Sequence, residues 1–156
     1  MIKQVINEIK ENLSETYKNK VTNVDIESIE KNVDNPGILL YLFPLIEKTF
    51  VEILKFNPVA SVEVETQGSY RTMYALLNDP TSMIIFKGAP PNLIDFLKEV
   101  YKEDGIRNQI LHHNKIYYKI EVIGELIKAL HELILIFNKA SNLDLDKCVN
   151  KIEYFE

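Results

Sequence analysis

Within the seven positions from Arg107 to His113, in Arg107-Asn108-Gln109-Ile110-Leu111-His112-His113, the chain gathers its scarcest polar side chains. Of its 18 Lys and Arg residues only Arg71 and Arg107 are arginine, so lysine is its default for solvated positive charge. A planar guanidinium differs from lysine in gripping phosphate or carboxylate with two parallel N–H donors while staying charged at every relevant pH. Two of the three histidines, His112 and His113, follow directly, and imidazole both accepts and gives a proton near neutrality. Arginine with histidine is the minimal kit for phosphodiester chemistry. Where the phosphodiester is RNA and no metal takes part, the reaction needs a base for the 2′-hydroxyl, a cation for the phosphorane oxygens and an acid for the 5′-leaving oxygen.

Other chemistries find no support in the residue pattern. There is no Gly-rich phosphate loop, no zinc-helix histidine pair and no Gly-x-Ser-x-Gly elbow, and the single cysteine, Cys148, cannot pair within the chain. No metal and no cofactor are expected. A net charge of -5 opposes broad coating of nucleic acid, which depends on basic side chains releasing phosphate counterions. Locally the balance is milder: Lys98, Lys102, Arg107, Lys115 and Lys119 stand against Glu99, Glu103 and Asp104. No apolar run approaches the ~20 residues that span hydrocarbon, and no basic and then apolar leader opens the sequence. The expected location is the cytoplasm, with no membrane association.

The elements that must position these residues are helical. Five Gly and six Pro in 156 residues are too few to punctuate a turn-rich β-sandwich. Ile2, Val5, Ile6, Ile9, Leu13 and Tyr17 predict one amphipathic helix over 2–20. A polar connector follows, with a short helix over 26–33 that Asp25 can cap. The stretch 38–56 is apolar nearly all round, as in a buried helix, and Pro44 implies a kink or a new start. Residues 59–64 suit a short extended piece. Gly68-Ser69 marks entry to a helix ending near Asn78, and Leu93, Phe96, Leu97 and Val100 stripe another. Ile116, Ile120, Ile123, Ile127, Leu130, Ile134 and Phe137 form a heptad-like seam widened by Leu126 and Leu133, and the tail after Ser141 is expected to dock back. The expectation is a single all-α domain over 1–156, an antiparallel helical bundle of five to six helices.

Arg-Asn-x-x-x-His in an all-helical chain of this length resembles the signature of HEPN domains, named for higher eukaryotes and prokaryotes nucleotide-binding. The resemblance implies a bundle over about residues 37–140 and a homodimer. It also implies metal-independent endoribonuclease activity in toxin–antitoxin, defence or RNA-processing systems, although some members are non-catalytic modules that bind nucleotide, RNA or a protein partner. It assigns Arg107 to hold phosphate, His112 to transfer protons and Asn108 to orient one of them, with an antitoxin protein as a possible partner; His113 is outside the family pattern and, as the next residue, a possible auxiliary. Relatives linked to a nucleotidyltransferase antitoxin commonly continue His-x-Tyr, where this chain has Asn114. An isologous dimer would bring two copies of the segment to one phosphate.

Helix geometry constrains that picture. Arg107 and His112, five residues apart, lie about 140° apart on an ideal helix, whereas Asn108 and His112 share a face. Arg107 is therefore expected in the first turn after the Asp104-Gly105 break, with Asp104 as cap. The same residues also suit a structural role, an ion pair or cap with Glu103 or Asp104. His131, beside the seam, suits an ordinary interface or surface position, Arg71 a salt bridge across the bundle, and Tyr117 and Tyr118 core packing.

Overall fold

The computed structural model describes residues 1–21, 26–57, 65–66, 69–70, 72–113 and 120–155; of residues 65–66, 69–70, 111–113 and 144–155 it describes the backbone alone. Asp25, 59–64, Gly68, Arg71, 115–119 and the side chains of His112, His113 and Cys148 thus lie outside the described residues. The α-helices are α1 (Ile2–Asn12), α2 (Glu15–Lys20), α3 (Ile26–Lys31), α4 (Leu39–Leu54), α5 (Met73–Leu77), α6 (Pro91–Tyr101), α7 (Ile106–His113) and α8 (Ile120–Phe155). Short 3₁₀ segments precede α4 (Pro36–Ile38) and α6 (Ser82–Phe86). The described residues also hold one minimal antiparallel ladder, β1 (Glu65–Thr66) with β2 (Ser69–Tyr70). The all-helical class holds, and the helices outnumber the expected five to six because the connectors themselves coil into short helices.

The helix expected over 2–20 is two helices. Leu13 is extended, and the Ser14 side chain accepts a hydrogen bond from the Tyr17 backbone N–H, capping α2. Asn138 of α8 fixes the break from outside: its amide donates to the Asn12 carbonyl (2.7 Å) and accepts from the Ser14 hydroxyl (2.8 Å). Polar groups freed at the interruption are thereby paired. The helix after Gly68-Ser69 begins later than expected, at Met73, where Thr72 accepts from the Ala75 N–H. Pro44 does not restart the central helix, and α4 runs through it with Pro44 itself exposed.

α8 is the rail of the structure, with α1 and α4 packed against it. Ile123, Leu126, Ile127, Leu130, Leu133, Ile134 and Phe137 are fully buried, as the seam predicts, while Ile120 at the start of the helix is exposed. Phe137 meets Tyr17 and Phe56 edge-on, each at 5.2 Å between ring centroids. The Tyr17 hydroxyl shares a buried 2.8 Å hydrogen bond with Thr49, and burial pushes its pKa up to about 12. After Ser141 the chain does not fold back but continues as the same helix to Phe155. No helix among the described residues is long and apolar enough to cross a membrane.

Candidate functional site

The Asp104-Gly105 break has a steric cause. Gly105 is buried, its N–H donates to the Lys102 carbonyl at 2.8 Å, and a β-carbon there would lie 2.4 Å from the Val100 carbonyl oxygen and 2.6 Å from that of Glu99. Only glycine lets α7 start this close to the end of α6. α7 begins at Ile106, so Gly105 rather than Asp104 precedes its first residue, and Arg107 falls in the first turn as expected. Side chains of that turn reach back to the preceding loop. Asn108 Nδ2 donates to the carbonyls of Lys102 (3.2 Å) and Glu103 (3.4 Å), and Gln109 Nε2 to that of Asp104 (2.6 Å).

Arg107 is held by three neighbours. Its Nη2 pairs with Glu47 Oε1 of α4 at 3.2 Å, and its Nη1 donates to Asn108 Oδ1 at 3.3 Å. Its guanidinium carbon lies 5.9 Å from the centroid of Tyr101 at the end of α6, within cation–π range, and the Tyr101 ring meets Phe43 edge-on. The ion-pair partner is therefore neither Glu103 nor Asp104 but a carboxylate on the central helix. Asn108 anchors the arginine and the loop, while the helix keeps its backbone one turn before His112. Two guanidinium nitrogens are engaged, and the Arg107 side chain remains 28% exposed, leaving N–H donors for an added anion.

These residues line a cleft of about 620 Å³ walled by α4, α5, α6 and the start of α7, within the roughly 300–1,000 Å³ of small-ligand sites. Glu47, Lys48 and Val51 contribute from α4, Met73 and Tyr74 from α5, and Tyr101, Glu103, Arg107 and Asn108 from the α6–α7 corner. Burial raises the Glu47 carboxyl above its ordinary range, and the charge and hydrogen bonds of Arg107 offset that only in part. The Tyr101 hydroxyl is pushed up strongly, first by burial and then by the Glu47 charge, so it stays protonated. Arg107 Nε is buried without a hydrogen-bond partner among the described residues. Lys102 pairs with Glu99 at 2.8 Å, so part of the expected basic patch is already neutralised, and Lys48, which also lines the cleft, bonds Glu52 at 3.0 Å. No group of three metal-ligating side chains occurs among the described residues. His131 lies away from this cleft, its Nδ1 3.7 Å from Glu8.

Sequence reasoning missed Glu47, Tyr74 and Tyr101. Glu47 had a signal: a carboxylate within a nearly all-apolar helix needs a partner, and a rare arginine needs one too.

A pH effect follows from Glu47. Its carboxyl titrates higher in the folded chain than in the unfolded one, so the fold holds that proton more tightly and gains stability as pH falls through the raised value. The gain is complete below the unfolded value of about 4.3. Glu47→Gln imitates the protonated form. Its stability difference from wild type is expected to be largest at neutral pH and to shrink on mild acidification, read from melting temperatures between pH 7 and pH 4. The raised carboxyl of Glu132, partly buried elsewhere, is common to both proteins and cancels. A difference constant across that range would show that Glu47 is not the titrating group.

Compared with models of known families, with curated proteins and with solved structures, the chain matches none.

Proposed function

We propose that this chain is a HEPN-like, metal-independent endoribonuclease of a toxin, defence or RNA-processing system, an antiparallel helical bundle that pairs into a cytoplasmic homodimer with a composite site. The observation carrying this reading is Arg107. A guanidinium held from three sides, partly exposed in a 620 Å³ cleft and one helical turn and a residue before His112, is preorganised for a phosphate in the way transition-state stabilisation requires. In the proposed reaction an imidazole takes the 2′-hydroxyl proton and the 2′-oxygen attacks phosphorus. The 5′-oxygen leaves with a proton from a second imidazole, and a 2′,3′-cyclic phosphate remains. One subunit supplies one His112, so a second copy supplies the other, with His113 as auxiliary. An antitoxin protein would restrain such an activity.

A specific observation favours a second reading. Glu47 already neutralises much of the Arg107 charge, which suits a non-catalytic HEPN-like module that binds nucleotide, RNA or a protein partner without turnover. Purified protein incubated with RNA in EDTA separates the two. The nuclease reading expects 2′,3′-cyclic phosphate ends from wild type and none from His112→Ala. Cleavage that persists in His112→Ala, or that stops in EDTA, would overturn it; RNA binding without products would select the module.

A further inference from the structure

Resting on the reading of Arg107 as the phosphate holder, we propose that Tyr74 is the stacking platform for an unpaired nucleobase next to that phosphate. The cleft sets the problem. Among the described residues its charged lining balances, Lys48 and Arg107 against Glu47 and Glu103, and Lys48 is also engaged by Glu52. Attraction for a phosphate chain is therefore local to Arg107, and affinity for a nucleotide must come from the remaining wall. That wall is apolar and aromatic: Val51, Met73, Tyr74 and Tyr101. The Tyr101 ring is 5% exposed and lies beneath the guanidinium. Tyr74 is 46% exposed and stands on α5, whose start is fixed by the Thr72 cap. It is thus the lining aromatic with a face open to a ligand.

Stacking on a tyrosine is tolerant of base identity because every base has a π-face, and it requires the base to leave any duplex. A base on Tyr74 with its flanking phosphate on Arg107 uses two lining residues of the one cleft, the aromatic one for affinity and the cationic one for position. Among the described residues the lining cations are Arg107 and Lys48, and Lys48 is engaged by Glu52, so the contact is with one phosphate and the base beside it.

Binding of a fluorescent 2′-O-methyl oligoribonucleotide, which cannot be cleaved through a 2′-oxygen, tests this by anisotropy, with cleavage of the unmodified strand measured in parallel. Tyr74→Ala should weaken single-strand binding roughly 5- to 150-fold, the loss of one stacked base, with the melting temperature unchanged because the side chain is exposed. Tyr74→Phe should restore it, and duplex RNA should bind wild type poorly. Single-strand binding or cleavage by Tyr74→Ala within twofold of wild type, or duplex bound as tightly as single strand, would overturn the platform and leave the Arg107 reading standing. Wild type that neither binds nor cleaves RNA would overturn both.

Discussion

Arg107→Ala is expected to cost the protein twice, and the two losses separate. Removing the guanidinium leaves Glu47, whose side chain is only 25% exposed, without its cation. An unpaired, largely buried carboxylate costs more than the pair was worth. Allowing for partial solvent access, the expected loss is about 1–3 kcal/mol, visible as a lower denaturation midpoint. The second loss is functional and belongs to the proposed nuclease reading: if Arg107 holds the phosphate, deleting that cation should cost about 100- to 1,000-fold in RNA turnover. Adding Glu47→Gln removes the stranded charge, so Arg107→Ala with Glu47→Gln should recover most of the stability and none of the turnover. Arg107→Lys keeps the charge but loses the fork that reaches Glu47 and Asn108 together, and should fall between. If the folded Arg107→Ala protein cleaves RNA as wild type does, Arg107 is a structural ion-pair residue and the phosphate role ends.

The next largest effect is expected at Gly105, which touches no ligand. A β-carbon there meets backbone oxygens rather than yielding side-chain ends, so α6 and α7 must separate. Overpacking of this kind costs about 3 kcal/mol, or roughly 10 °C in melting temperature for a chain of this size. The separation also moves the first turn of α7, which carries Arg107 and Asn108, relative to Glu47 on α4. Gly105→Ala should therefore lower turnover even well below its melting temperature, while Gly88→Ala, where the added carbon meets nothing but the backbone has φ 100°, should leave turnover untouched. A Gly105→Ala protein melting within a degree or two of wild type would show that the loop absorbs the carbon and that the corner is not rigid.

Much of this arrangement was legible in the residues alone. The three- and four-residue spacing of Ile123 to Phe137 placed the buried side of α8, because a helix repeats every 3.6 residues and a local pattern suffices to mark the face that leaves water. Asp104-Gly105 located the start of α7 to within a residue, and with it Arg107 in the first turn. The break at Leu13-Ser14 was not legible, since the apolar spacing continues across it and the compensating hydrogen bonds come from Asn138 on a distant helix. The entry to α5 was misjudged for a related reason: Ser69 and Thr72 are both good caps by type, and the ladder holding Ser69 left the role to Thr72.

The sequence by itself determined an all-helical chain that sets its one motif arginine directly after a glycine break and one turn before a histidine pair, because turns, caps and helical periodicity are encoded by near neighbours. Only the tertiary structure decided what that arginine meets: Glu47 from the central helix, the Tyr101 ring from the end of α6, and a cleft that Tyr74 also lines. Those partners are chosen by how α4, α5, α6 and α7 pack, and packing depends on the fit of whole surfaces that no spacing within one segment records.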